Sequence, residues 1–196
     1  PLSYGQRAMW FVDRLDPAGT AYNIADAVRL TGPLDMDAMR RALKNLYDRH
    51  PQLRVTFHEV DGRPVQRIHE GGTFRLDLVD AVGWTEQQWR DHLYGEVHRP
   101  FNLETGPVAR IVLIRLSADE HILSFLFHHI VADMWSLLIC VNEFTTFYEA
   151  AVSGKPADLP DIKTDYADMV RWQADLAAGP QGDALWNYWK DELAGP

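Results

Sequence analysis

Cysteine is nearly missing from this sequence: its 196 residues contain one, Cys140. A single thiol forms no internal disulfide, so nothing here signals the disulfide-stapled scaffold of a small secreted domain. Cys140 lies in the apolar run Leu137–Val141, where a packed structural thiol is expected rather than a nucleophile. Long hydrophobic runs are lacking too. No stretch approaches the ~20 apolar residues of a membrane span, and no signal peptide or lipidation motif is found, so the default compartment is cytoplasmic. Positive charge is scarce: Lys and Arg number 19 against 28 Asp and Glu, a formal net charge of −9. The densest basic cluster, Arg40, Arg41 and Lys44, reads as a solvated helix face. Nucleic acid draws its affinity from clustered Lys and Arg, so it is disfavoured as a partner, and anionic membrane surfaces with it. Internal repeats and low-complexity stretches are absent.

What remains is an ordinary globular composition, 46% hydrophobic, long enough for one sizeable core or one lobe of something larger. The chain starts at Pro1 without an initiating Met and stops at Gly195-Pro196, and both ends read as cuts through a longer polypeptide. Tyr22–Leu30 alternates loosely and reads as a strand closed by Gly32-Pro33. Met36, Met39, Leu43, Leu46 and Tyr47 recur at spacings of three and four, which predicts a helix capped by Asp35 or Asp37 and stopped by Pro51. Arg54–Val60 and Pro64–His69 flank Asp61-Gly62, a hairpin signal. Thr85 and Gln88 have capping-box spacing ahead of a Trp89, Leu93, Val97 stripe. Val108–Leu116 and His121–Phe127 predict paired strands. The second is almost continuously apolar, as a central strand covered on both faces is. Leu137, Leu138, Val141, Phe144 and Tyr148 then trace a helix, 153–165 reads as a loop, and Trp-rich helical segments follow at 166–177 and 185–193. Trp172, Trp186 and Trp189 are expected to serve as core or lobe-packing residues. The mixed order favours an α+β fold, a two-layer sandwich of mostly antiparallel sheet with packed helices.

Chemistry concentrates at His128-His129-Ile130-Val131-Ala132-Asp133, where the apolar strand ends and a helix begins. Neighbouring residues on a strand point to opposite faces, so one histidine is expected to be structural and the other functional. A histidine there suits general-base work, with its second ring nitrogen held by a partner that fixes the tautomer. A metal site is a competing reading, but adjacent strand histidines diverge and no further ligand follows at a recognisable spacing. A Ser-His-Asp hydrolase would need a nucleophile elbow, and no Gly-x-Ser-x-Gly occurs. Two histidines satisfied by backbone groups at a strand end are the structural alternative. On spacing alone, chemistry and structure stand level.

The flanking segments change that balance. HHIVADMWS resembles the core motif of the condensation domains of nonribosomal peptide synthetases. LSYGQRAMWFVDRLDPAGTAYNI resembles their opening motif, RHPQLRVTF (49–57) their second, and RPFNLETGPVARIVL (99–113) the segment before their central strands. DYADMVRWQ (165–173) with LWNYWKDELAG resembles their fourth motif and trailing helix. The five lie in the family's order and cover nearly the whole chain.

The resemblance implies one lobe of a chloramphenicol-acetyltransferase-like fold. Residues 1–165 are then the amino-terminal lobe, and 166–196 a helical segment leading toward a missing carboxy-terminal lobe. It implies amide bond formation between a donor acyl or peptidyl thioester and an acceptor aminoacyl thioester. Both are delivered by phosphopantetheine arms of peptidyl carrier proteins, with an adenylation domain nearby and no cofactor or metal bound directly. By the same resemblance His129 is the central catalytic group, as base or as positioner of the amine, and His128 is structural. Asp133 is held in a salt bridge to Arg54, a buried pair whose one-sided loss costs about 3–5 kcal/mol. Met134 stands where the family commonly has Gly, which narrows the tunnel or marks a subclass. Trp135 and Ser136 keep the condensation pattern beside the substrate path. Gln6, Arg7 and Trp10 of the opening motif are expected to be structural. Epimerization, heterocyclising or ester-forming relatives remain alternatives within the superfamily, although heterocyclisation domains usually replace the first histidine with Asp. A free-standing coenzyme A acyltransferase and an inactive binding or scaffold lobe are the alternatives beyond it.

Overall fold

The computed structural model describes residues 1–71 and 74–195. Its centre is strand β6 (Glu120–His128), flanked by β1 (Asn23–Thr31) and β5 (Ala109–Arg115), both antiparallel to it. An outer strand, β4 (Leu76–Asp80), pairs parallel with β5 and completes the order β1-β6-β5-β4. The apolar run of β6 is buried from His121 onward, as a strand with sheet on both sides and cover on both faces requires.

One face of the sheet carries α2 (Met36–Arg49) and α4 (Met134–Ser153). The buried stripe of α2 (Ala38, Met39, Ala42, Leu43, Leu46) is the one its spacing predicts. It meets Leu137, Cys140 and Phe144 of α4 over Leu123, Phe125 and Phe127 of β6. Leu138, also in the predicted α4 stripe, turns outward instead. Asp35 caps α2 by accepting from the Asp37 and Ala38 N–H groups, and the helix closes at His50 ahead of Pro51. Glu143 lies within the buried face of α4, where an ionised carboxylate needs partners. It finds two at the end of α2: Arg49 Nε at 3.1 Å and His50 Nε2 at 2.6 Å.

The opposite face is covered by α3 (Glu86–Val97), which connects parallel strands β4 and β5. Thr85 and Gln88 form the predicted capping box, and Trp89 is driven against Val112, Ile114 and Ile122. The architecture is the α+β sandwich expected, with α3 supplying cover on the second face. Strands β2 (Val55–Val60) and β3 (Arg63–Ile68) form the separate hairpin, turning at Asp61 (φ 51°) and Gly62 (φ 72°). Two successive positive φ angles give the turn whose twist matches antiparallel strands.

Helix α1 (Tyr4–Leu15) and strand β4 were not visible as periodic patterns. The apolar residues of α1 do not form one buried stripe: Phe11, Val12 and Leu15 are exposed, and its one buried residue is Gln6. At the other end, α5 (Tyr166–Ala178) packs Val170 inward, while α6 (Pro180–Glu192) buries no residue. Trp172, Trp186 and Trp189 are exposed and do not contribute to this core.

Candidate active site

Strand β6 closes on His128, and the chain turns through His129–Val131 before α4 begins. The two histidines differ in burial there, His128 as the last strand residue and His129 as the first of the turn. The His128 ring is 5% exposed. Its Nδ1 accepts the Ile130 N–H at 3.1 Å, so the proton of the neutral ring sits on Nε2. Phe101 meets the ring edge-on with centroids 6.2 Å apart, and Tyr22 lies at the same distance. Burial, with a smaller contribution from the neighbouring His129, pushes the His128 pKa down to about 4. Near neutral pH it is a buried, uncharged imidazole.

His129 is partly exposed and held from two sides. Its backbone N–H donates to the Tyr22 carbonyl at 2.7 Å. Its ring Nδ1 donates to the Ala132 carbonyl at 2.8 Å. A carbonyl only accepts, so Nδ1 carries the proton and Nε2 of the neutral ring keeps a free lone pair. That is the tautomer a base needs.

Asp133 is the N-cap of α4. Its Oδ1 accepts from the Ser136 N–H at 2.8 Å and from the Ser136 hydroxyl at 2.7 Å. The hydroxyl bond, then the backbone bond, hold its carboxyl below the usual carboxylate range. The expected salt bridge to Arg54 is not formed: no ion pair joins the two among the described residues. Arg54 ends a short 3-10 turn and donates to the carbonyls of His69 and Asp48, each at 3.2 Å. Asp133 is spent on a helix terminus where its charge is already favoured, so it has no need of an arginine. Met134 and Trp135, in the first turn of α4, are 65% and 71% exposed, and Ser136 serves the cap. Cys140 is buried against the sheet with its thiol pushed up to about 12, chiefly by burial.

Two supporting roles have partners that the sequence patterns do not specify. Arg110 is buried within β5, where its guanidinium donates to the carbonyls of Glu96, Arg99 and Pro100 and lies 3.8 Å over the Phe101 ring. Burial, then the nearby Arg99, pull its pKa down to about 10. Asn23 Nδ2 donates to the Val97 and Arg99 carbonyls at 2.7 and 3.0 Å. Together they fix the segment that presents Phe101 to His128. An arginine inside the apolar run ARIVLIR was the available signal. The second role is that of Gln6: 2% exposed, it donates from Nε2 to the Ile130 carbonyl at 3.2 Å, inside the turn between His129 and Asp133.

No group of three or more His, Cys, Asp or Glu is placed to hold a metal ion among the described residues. No helix among them is long and apolar enough to cross a membrane.

Comparison with known proteins gives a consistent result. A family model described as "Condensation domain" matches residues 1–196. A linear gramicidin synthase of Brevibacillus parabrevis is 39% identical over 199 residues, covering 100% of this chain but 3% of that protein. Enniatin synthase of Fusarium equiseti is 38% identical over 194 residues, covering 98% of this chain and 6% of the other. Among solved structures, the X-domain in complex with OxyB from teicoplanin biosynthesis superposes with a TM-score of 0.88 at 28% identity, covering 100% of this chain and 43% of that one. The starter condensation domain of rhizomide synthetase gives a TM-score of 0.88 at 21% identity, covering 98% of this chain and 47% of that one. The chain thus spans a small fraction of its curated relatives and under half of these solved chains.

Proposed function

This chain belongs to the condensation-domain family, and we propose that within a longer synthetase it contributes the centre for amide bond formation between two carrier-bound thioesters. The amine of an acceptor aminoacyl thioester attacks the carbonyl of a donor acyl or peptidyl thioester. The new C–N bond forms, the C–S bond breaks, and the pantetheine thiol leaves. The amine must shed a proton, and His129 Nε2 takes it; the thiolate regains one on departure. The observation that supports this reading is the bond from His129 Nδ1 to the Ala132 carbonyl, which commits the free lone pair to Nε2. His128, buried and neutral, keeps the strand end rigid beneath it. Phosphopantetheine arms of donor and acceptor carrier proteins supply the substrates, and a second lobe closes the tunnel over them.

The test compares His129→Ala with the unaltered domain, with donor and acceptor carriers loaded and products read by intact-mass spectrometry. Loss of about 10²–10⁴-fold in amide formation is expected, the usual range for a general base. Inverted stereochemistry without chain extension in the unaltered protein would instead assign an epimerization-type activity. Full activity in the alanine variant would remove His129 from the mechanism.

A further inference from the structure

We propose that Gln6 is a positioning residue for His129, acting through the Ile130 carbonyl as the inner end of a hydrogen-bonded chain that begins on α5. This inference rests on the reading of His129 as the base. Gln6 is the most deeply placed residue of α1, and its side chain makes two bonds of different kinds. Oε1 accepts the Ser3 N–H at 3.1 Å, which closes a capping box with the Ser3 hydroxyl accepting the Gln6 N–H, also at 3.1 Å. An ordinary capping box ends there. Here Nε2 reaches across 124 positions of sequence to the Ile130 carbonyl at 3.2 Å.

That carbonyl belongs to the turn that decides the tautomer of His129. Within the same few residues, Ile130 N–H is held by His128 Nδ1, Val131 N–H by the His128 carbonyl, and the Ala132 carbonyl receives His129 Nδ1–H. Ile130 is itself buried, so its carbonyl has little access to water if Gln6 withdraws. The turn would re-form to satisfy it, and the Ala132 carbonyl would move with the turn. At its outer end the chain continues from the Ser3 hydroxyl to the Tyr166 hydroxyl at 2.9 Å, in the first turn of α5. The Tyr4 N–H donates to Gln173 Oε1 of the same helix at 3.4 Å. Displacement of α5 is therefore felt at the His129 turn through Ser3 and Gln6.

The experiment compares Gln6→Met, close in shape but without the amide, with the unaltered full-length protein labelled with 15N-histidine. The His129 signals are identified by their disappearance in His129→Ala. Gln6→Met is expected to reduce the Nδ1–H tautomer of His129 and to lower kcat by about ten- to a hundredfold, the scale of a sub-ångström to one-ångström misplacement. KM for both loaded carriers should be unchanged. Tyr166→Phe, a milder change at the half-buried outer end, should shift the same signals in the same direction by less, and it carries the test if Gln6→Met does not fold. Unchanged His129 signals in a folded variant, or a loss confined to KM, would overturn the proposal. A tautomer shift in a protein that makes no amide would leave the positioning role standing and sink the functional reading.

Discussion

Replacing Asp133 separates two accounts of the motif's last residue by magnitude. If the carboxylate were half of a buried ion pair, losing it would cost about 3–5 kcal/mol. As an exposed N-cap with two bonds to Ser136, it is worth about 0.5–2 kcal/mol as a cap, with about 0.3–1 kcal/mol more from its charge at the helix N-terminus. We therefore expect Asp133→Ala to destabilise the complete condensation domain by about 1–3 kcal/mol at pH 7, measured by urea unfolding. Asp133→Asn, which keeps the acceptor, should lose less than half of that. Because its folded-state pKa is lowered, the contribution of the carboxylate is present above its unfolded value of ~3.9 and disappears as the pH falls through the lower folded one. The decisive arm is the double variant with Arg54→Ala. The arginine is bound to carbonyls of His69 and Asp48, so the two losses should add to within about 0.5 kcal/mol. A coupling above about 1 kcal/mol, or a loss of about 3–5 kcal/mol for Asp133→Ala alone, would refute the cap assignment and restore the ion pair.

Three further outcomes follow from the same geometry. His128, with a pKa lowered from 6.5 to about 4, adds stability in full above pH ~6.5 that is lost toward pH 4, on the order of 3 kcal/mol; unfolding midpoints across that window should fall less steeply in His128→Gln, and an unchanged slope would contradict a neutral buried ring. Cys140, buried with its thiol pushed up to about 12, should resist iodoacetamide in the native protein and react fully in denaturant, as read by mass spectrometry. Leu137→Ala should cost about 2–5 kcal/mol, because the side chain is wholly buried, whereas Leu138→Ala, 51% exposed, should stay within about 0.5 kcal/mol; equal losses would mean α4 is rotated from the orientation described.

What the sequence revealed was what neighbouring residues decide. The α2 stripe, the Asp61-Gly62 turn and the Thr85–Gln88 box each rest on contacts within a few positions, and each is found where its pattern lies. Strand β4 escaped notice because five residues with one parallel partner carry little pattern of their own. The sequence placed the histidine pair at a strand end, and there His128 is the last, buried strand residue and His129 the partly exposed first residue of the turn. Their partners were not legible: Phe101, Arg110 and Gln6 reach the site from 27, 18 and 122 positions before His128, respectively, through contacts no local pattern encodes. The Arg54 pairing failed for the opposite reason. A cap formed with a residue three positions away outcompetes a partner elsewhere in the chain.

The pairing of β1 with β6 sets Asn23 opposite His128. Closing so large a loop is an entropic cost met before β1 gains its one partner in the sheet, and folds dominated by such pairings form slowly. During synthesis the first strand must wait, its partner still unmade, while the whole of α2, the hairpin and α3 emerge. When β6 arrives it completes the centre of the sheet and delivers the histidine pair in one event. A chain interrupted before that strand therefore lacks the link between β1 and β5 and both residues of the histidine pair.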